Sequence, residues 1–180
     1  GGNDQIIEEI IEHIGKEMYD GMPTHEIYSR AFKLLREHSM PMAVKYSLRR
    51  ALSDLGPDGF PFEKYVAKIF ESWGYQAITD QTVMGVCVPH EIDVVAWNQD
   101  NLVMVEAKFH NELGMKSDIK VALYIKARFD DLRGNTFDYG GIKRTLTSGW
   151  LITNTKFTDQ AIRYGECNGL KMIGWNYPAR

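Results

Sequence analysis

The chain has 180 residues, of which 44% are hydrophobic and 25% are charged, and its formal net charge at pH 7 is −3. This length provides one good core, or one core with a small appended domain, and the composition is ordinary for a globular protein. No apolar run approaches the roughly 20 residues that span a bilayer and no segment resembles a signal peptide, so we expect a cytoplasmic protein with no membrane partner. The negative charge argues against a simple high-affinity DNA-binding protein, although not against an enzyme that acts on DNA.

Three amphipathic helices are predicted before residue 56. Apolar residues recur at helical spacing over residues 5–18, Thr24 can cap a second helix, and Pro41 fits the first turn of a third helix. On the outer face of the third helix, basic side chains are either solvated or bind phosphate. These basic residues are Lys45, Arg49 and Arg50, and the predicted buried face comprises Val44, Leu48, Ala51, Leu52 and Leu55.

The run Gly56-Pro57-Asp58-Gly59 combines helix-stop and turn residues, and it predicts a domain boundary. We therefore expect a small all-helical domain over residues 1–57 and a second domain over residues 58–180. The second domain is predicted to begin with a helix from Pro61 to Trp73. Glu63 lies beside the apolar stripe of that helix, either as a rim charge or as a side chain that reaches into a site.

The remainder of the second domain is predicted to alternate between strands and helices. Its last strand, helix and strand follow each other closely, which predicts a right-handed parallel crossover. The predicted segments are strands at 75–79 and 82–88, a hairpin over 90–110, a helix capped by Ser117 that ends near Leu132, a loop over 133–148, a strand at 150–153, a helix at 159–167 capped by Thr158, and a strand at 170–175.

The hairpin carries charged residues on strands that are otherwise apolar. Two apolar runs, residues 92–97 and 102–105, flank the turn-forming quartet at residues 98–101. If the loop closes symmetrically, Asp93 lies directly opposite Glu106 on the neighbouring strand. Carboxylates in such a pair have Cβ atoms about 5 Å apart and repel each other, and a cation between them would remove the conflict.

Lys108 is predicted on the same face as both carboxylates, because side chains alternate along a strand. Asp93 and Glu106 thus supply two ligands for a hard divalent ion, and Lys108 supplies an ammonium group. Charges in this pattern also occur on edge strands and solvated faces, and the sequence leaves that alternative open. Glu91, two residues before Asp93, is a spare ligand on the same face.

Other polar and sulfur-containing side chains receive structural roles. Cys87 and Cys167 are far apart in apolar or small-residue surroundings, so we predict buried packing residues rather than a zinc site or a disulfide. His90 and His110 flank the carboxylates and are predicted as rim or packing residues rather than general bases. In the loop over 133–148, basic residues either meet a phosphodiester backbone or are solvated. They are Arg133, Lys143 and Arg144.

Several short motifs stand in a fixed order between residues 58 and 177. They are Phe62-Glu63, Trp73-Gly74-Tyr75, Glu91-Ile92-Asp93, Val105-Glu106-Ala107-Lys108, and the run Leu151 to Thr158 with Ala161 and Gly169-Leu170. Together with the order of the elements, these motifs resemble the PD-(D/E)xK restriction-endonuclease-like fold, and specifically its Mrr-like branch. The resemblance implies an α/β fold, with a mixed sheet flanked by helices, following the small N-terminal all-helical domain.

The same resemblance implies metal-dependent cleavage of DNA phosphodiester bonds. It implies that Asp93, Glu106 and the Ala107 carbonyl bind Mg²⁺, with Mn²⁺ as a substitute, and that Glu63 contributes through water. Lys108 would orient the nucleophile or stabilise the transition state. DNA is the expected partner, and a homodimer stays open.

The N-terminal helices carry a second resemblance. Thr24-His25-Glu26-Ile27, together with the helices around residues 31–35 and 44–52, is similar to the later part of an ATP-cone, a small nucleotide-binding regulatory unit. This resemblance implies ATP or dATP as a regulator. A complete ATP-cone begins with strands whose basic residues contact the nucleotide, whereas this chain begins with a helix. The sequence therefore leaves open whether these helices bind a nucleotide and whether the chain is a fragment of a longer protein.

Two functions follow from the sequence. The first is a Mg²⁺-dependent endodeoxyribonuclease, regulated by a nucleotide through the N-terminal domain. The second is a catalytically inactive nucleotide-sensing or nucleic-acid-binding module on a nuclease scaffold. The presence of Asp93, Glu106 and Lys108 favours the enzyme, since an inactive scaffold has no reason to keep an opposed carboxylate pair.

Overall fold

The computed structural model describes residues 2–112 and 114–178, and the chain forms two compact units, Gly1–Leu52 and Ser53–Arg180. None of the described helices has the length and apolar character needed to cross a membrane. The helices are α1 (Gly2–Glu17), α2 (Thr24–His38), α3 (Met40–Ser53), α4 (Phe60–Ser72), α5 (Ile119–Leu132) and α6 (Asp159–Cys167).

A five-stranded mixed sheet with the order β1-β2-β3-β7-β9 forms the centre of the second unit. The first three strands are antiparallel, whereas β3, β7 and β9 run parallel. Strand pairs β4-β8 and β5-β6 lie outside this sheet. The strands are β1 (Gln76–Met84), β2 (Pro89–Trp97), β3 (Leu102–Lys108), β4 (Lys116–Ser117), β5 (Thr136–Tyr139), β6 (Ile142–Thr145), β7 (Ser148–Thr153), β8 (Lys156–Phe157) and β9 (Lys171–Ile173).

The helices of the second unit cover both faces of the sheet. Phe70 of α4 packs against Trp150 of β7, with ring centroids 5.4 Å apart. At the preceding position of β7, a Cβ on Gly149 would lie 2.1 Å from the Phe129 ring of α5. Because successive strand residues point to opposite faces, α4 and α5 lie on opposite sides of the sheet. The predicted α/β fold, a mixed sheet flanked by helices, is confirmed.

The N-terminal unit has its own small core, formed by Ile10, Ile14, Leu35 and Ala43. The predicted buried face of α3 is wrong, since Val44 and Leu48 are 58% and 42% exposed and Ala43 is buried. Apolar residues occur on more than one face of α3, so their periodicity alone did not fix which face packs inward.

Two predicted helix caps in this chain are also wrong. Pro23 is the N-cap of α2 and provides no side-chain bond, so Thr24 is the first helical residue. Asp118, rather than Ser117, caps α5, because its Oδ1 accepts from the backbone N–H groups of Lys120 and Val121 at 3.0 and 3.3 Å. The predicted cap of α6 is confirmed, because Thr158 Oγ1 accepts from the backbone N–H of Ala161 at 3.3 Å.

Strand β1 is continuous, although two separate strands were predicted there. Its register with β2 is unbroken from Gln76 to Met84, except that Asp80 lies between two pairs, with a φ of +56°. The side chain of Gln81 donates to the backbone oxygens of Thr79 and Asp80, at 2.9 and 3.1 Å. The sequence predicted a break at residues 80–81 and a strand end at residue 88, whereas the chain accommodates a local distortion within one strand that ends at Met84.

Residues 136–145 form the hairpin β5-β6 rather than the predicted loop. Gly140 and Gly141 form its two-residue turn with φ values of +68° and +76°, a conformation that glycine adopts without strain. Arg144 Nη1 donates to the backbone oxygens of Tyr139 and Ile142, at 2.6 and 3.1 Å. Arg144 therefore has a structural role within its own hairpin.

Candidate active site

The β2-β3 hairpin brings the predicted acidic residues together. The two strands pair as Val94–Val105, Val95–Met104, Ala96–Val103 and Trp97–Leu102, which confirms the predicted register. The paired residues end at Val94–Val105, and Asp93 meets β3 through its side chain, which accepts a hydrogen bond from the N–H of Ala107. The side chain of Glu106 points toward the face that α5 covers, since it contacts Arg128 of α5.

Asp93 is a half-buried carboxylate with one oxygen fixed by the backbone. Its Oδ2 accepts a hydrogen bond from the N–H of Ala107 at 2.7 Å. Burial raises the pKa of Asp93 because it disfavours the charged form, while this hydrogen bond and the charge of Arg128 act in the opposite direction. The backbone of β3 therefore orients Asp93 while the surroundings disfavour its negative charge.

Glu106 is a second carboxylate of the same kind. Its side chain is 18% exposed, and its Oε2 accepts from Arg128 Nη1 at 2.5 Å. Burial, followed by the charge of Asp93, raises the pKa of Glu106 to about 7, although Arg128 and Lys108 oppose the shift. Two adjacent carboxylates with raised pKa values form a site in which a cation would be strongly favoured.

Arg128 is a functional candidate that the sequence analysis missed. Besides Glu106, it donates to the backbone oxygen of Glu91 through Nη1 and to the Tyr124 hydroxyl through Nη2, both at 2.8 Å. The guanidinium lies 4.8 Å from the centroid of the Tyr124 ring. The sequence carried a signal that Arg128 lies at the buried side of α5, because it stands directly before the buried Phe129 and three residues after the buried Ile125.

Two further acidic residues lie near this pair. Glu63 of α4 has its pKa raised to about 6, by burial first and then by the charges of Asp93 and Asp80. Which of the two roles Glu63 takes, a rim charge or a side chain that reaches into the site, stays a prediction. Asp80, which the sequence analysis did not select, occupies the β1 position beside Asp93, between the pairs Thr79–Val94 and Gln81–Ile92.

Lys108 ends β3 and is exposed, and it pairs in register with Thr153 of β7. Lys108 lies on the same face of β3 as Glu106, because side chains alternate along a strand, and its positive charge lowers the pKa values of both Asp93 and Glu106. An exposed ammonium beside two half-buried carboxylates is accessible to a substrate from solvent. The hairpin therefore presents an acidic pair and a cation on one face of the sheet.

The donor set suits a hard divalent cation such as Mg²⁺. Among residues 2–112 and 114–178, no three histidine, cysteine or carboxylate side chains are already gathered into a metal cluster. In the described structure, the protein's hydrogen bonds use Oδ2 of Asp93 and Oε2 of Glu106, which leaves Oδ1 and Oε1 for a ligand. Carboxylate oxygens are the ligands that Mg²⁺ prefers, and bound metal would offset the burial and the charge of Asp93, which together raise the pKa of Glu106.

The two histidines have structural partners. His90 Nε2 donates to Asp131 Oδ2 at 2.8 Å, and Asp131 also accepts from the backbone N–H of Cys87 at 2.8 Å, which fixes the turn between β1 and β2. His110 Nε2 and Ser117 Oγ are joined by a hydrogen bond of 2.9 Å.

The predicted burial of Cys87 and Cys167 is wrong, since both are exposed.

The pKa of Glu106 predicts how the stability of the metal-free protein depends on pH. Its ordinary value is 4.5, so between about pH 5 and pH 7 the folded protein binds more protons than the unfolded chain, and the free energy of unfolding decreases as pH rises. A change from 4.5 to about 7 corresponds to about 3 kcal/mol. Thermal unfolding in EDTA should therefore occur at lower temperature at pH 8 than at pH 5.5.

Glu106→Gln provides the control for this pH dependence. The variant lacks the titrating group, so its unfolding temperature should change less across the same window. Equal pH dependence in both proteins would contradict the assignment to Glu106.

Comparisons with known proteins agree with this architecture. The model of the Mrr catalytic family, described as "Restriction endonuclease", matches residues 56–175. An uncharacterised protein of Archaeoglobus fulgidus is 38% identical over 115 residues, which cover 64% of this chain and 60% of that relative. The crystal structure of a protein of unknown function, AF1548, is similar with a TM-score of 0.57 and 38% identity, over 67% of this chain and 59% of that one.

Proposed function

Since the chain belongs to the Mrr-type restriction endonuclease family, we propose that it is a Mg²⁺-dependent endodeoxyribonuclease that hydrolyses DNA phosphodiester bonds. The observation that supports this proposal most directly is that Asp93 Oδ2 accepts a hydrogen bond from the N–H of Ala107, the residue between Glu106 and Lys108 on β3. The match covers 60% of the length of the A. fulgidus relative. The activity of the whole protein is therefore also a proposal.

In this proposal the acidic residues bind the metal. Asp93 and Glu106 would hold it through Oδ1 and Oε1, with the Ala107 carbonyl as a further ligand and Glu63 acting through water. Bound Mg²⁺ supplies a Lewis acid that lowers the pKa of a water molecule and neutralises charge on the phosphate. The pKa of Glu106, about 7, implies that metal affinity increases with pH as this carboxyl loses its proton.

Lys108 and the backbone carry the remaining roles. The N–H of Ala107 keeps Asp93 in one orientation at 2.7 Å, so the carboxylate needs little reorganisation when it binds a cation. The exposed ammonium of Lys108 contacts the phosphate and stabilises the negative charge that develops on its oxygens in the transition state. The negative net charge of the chain makes such local cations necessary for DNA binding.

Incubation with supercoiled plasmid, linear duplex and branched DNA tests the function. We expect nicking or linearisation of the plasmid with Mg²⁺ or Mn²⁺ and none with EDTA, and no cleavage by Asp93→Asn under any condition. Cleavage of the circular substrate demonstrates endonuclease activity because it has no ends. DNA binding without cleavage in either metal would support the inactive-module alternative, and addition of ATP or dATP tests the proposed regulation through the N-terminal helices.

A further inference from the structure

Arg128 forms an ion pair with Glu106, one of the two carboxylates, and its side chain is only 10% exposed. We propose that Arg128 is a positioning residue, which fixes the Glu106 carboxylate for metal binding and is itself fixed by Tyr124. This inference rests on the proposed metal-dependent function. It concerns how the protein prepares its ligands rather than which residues bind.

Three acceptors hold the guanidinium group of Arg128. Glu106 Oε2 lies 2.5 Å from Nη1, the backbone oxygen of Glu91 lies 2.8 Å from Nη1, and the Tyr124 hydroxyl lies 2.8 Å from Nη2. These acceptors belong to β3, β2 and α5, respectively. A planar group held from three elements cannot rotate freely, so its bond to Oε2 fixes the carboxylate of Glu106 as well.

This arrangement matches the one at Asp93. There, a backbone N–H fixes Oδ2 and leaves Oδ1, and at Glu106 the Arg128 guanidinium fixes Oε2 and leaves Oε1. Both carboxylates therefore have one oxygen bonded by a rigid protein donor and one oxygen for a ligand. Carboxylate ligands of metals are commonly hydrogen-bonded in this way, and loss of such a partner typically lowers metal affinity about 10–100-fold.

The sign of the effect distinguishes positioning from simple electrostatics. By Coulomb's law, as long as Glu106 stays ionised, removing a positive charge beside a cation site should strengthen cation binding. If Arg128 acts by orienting Glu106, its removal should weaken binding instead. Lys126 offers a matched control on the same helix. Its side chain is 16% exposed, and it forms its ion pair with Asp130, at 2.5 Å, rather than with Asp93 or Glu106.

Calorimetric titration of the full chain with Mn²⁺ at pH 8, without DNA, measures the effect independently of cleavage. We expect Arg128→Met to bind Mn²⁺ about 10–100-fold more weakly than the unmodified protein. Arg128→Lys should recover part of the loss, because its ammonium group can still donate to Glu106 Oε2 although it lacks the fork of donors. Tyr124→Phe should lose less, since Arg128 keeps two of its three acceptors, and Lys126→Met should bind normally.

The outcomes separate this inference from the proposed function. If the unmodified protein binds Mn²⁺, Asp93→Asn abolishes binding, and Arg128→Met binds equally well or more tightly, the positioning role is overturned while the metal site stands. If Asp93→Asn binds as the unmodified protein does, or neither binds, the metal site and this inference fail together. Should Arg128→Met fail to fold, normal Mn²⁺ affinity in both Arg128→Lys and Tyr124→Phe would overturn the inference.

Discussion

Lys108→Ala is expected to cleave DNA about 10²–10³-fold more slowly in a single turnover, with nearly unchanged Mn²⁺ affinity. The exposed ammonium group lies near Asp93 and Glu106, but it is a cation and cannot be a metal ligand. Its stabilising effect is therefore exerted mainly in the transition state, where charge on the phosphoryl oxygens increases. Removal of a cation by itself should strengthen metal binding slightly rather than weaken it.

Single-turnover cleavage at saturating Mn²⁺, alongside calorimetry, tests this expectation. Lys171→Ala is the matched control, because Lys171 is also an exposed lysine at a strand end, on β9, with β7 between it and β3. The control should cleave normally. If Lys108→Ala loses metal binding but cleaves at the normal rate once metal is saturating, Lys108 has a structural role and the proposed mechanism is wrong.

Asp93→Asn is expected to abolish cleavage and at the same time to stabilise the metal-free protein at pH 8. A carboxamide is a poor Mg²⁺ ligand, and metal catalysis contributes several kcal/mol, so the rate should fall by roughly 10³-fold or more. The carboxylate of Asp93 raises the pKa of Glu106, and its removal relieves that repulsion. The Asn oxygen can still accept from the N–H of Ala107, so the hairpin geometry should persist.

The gain in stability should be visible by calorimetry. A relief of about 1–2 kcal/mol would raise the unfolding temperature by roughly 2–8 °C in a chain of this size. Added Mg²⁺ should stabilise the unmodified protein more than the variant, because only the former binds the ion well. A variant that cleaves DNA at the normal rate would refute the metal site, whereas a destabilised variant would show that the carboxylates do not repel each other.

The hairpin was predictable because its determinants are local. The turn-forming quartet at residues 98–101 fixes the register of the two apolar runs that flank it, and the structure has that register from Val94–Val105 to Trp97–Leu102. By contrast, Arg128 is 22 residues from Glu106, and their contact depends on the path of α5 across the sheet. No periodicity within α5 specifies which residue of another element it will meet.

Other differences have equally specific causes. The Gly140-Gly141 pair is a hairpin signal, but the basic residues around it favoured a loop in the sequence analysis. In α3, apolar residues on several faces obscured the buried one, which includes Ala43 rather than Val44. Asp80 is a polar residue inside a strand, and its left-handed conformation and its position beside Asp93 are set by tertiary structure.

The distortion at Asp80 also affects how this molecule can meet other copies of itself. Strand β1 is an outer strand of the sheet, and a regular outer strand is a template onto which another chain can add and begin to aggregate. Here the left-handed residue interrupts the pleat in the middle of the strand, and Gln81 occupies two backbone oxygens. Growth of the sheet by strand addition is therefore disfavoured at β1, and self-association there would have to rely on side chains rather than on a shared ladder of backbone hydrogen bonds.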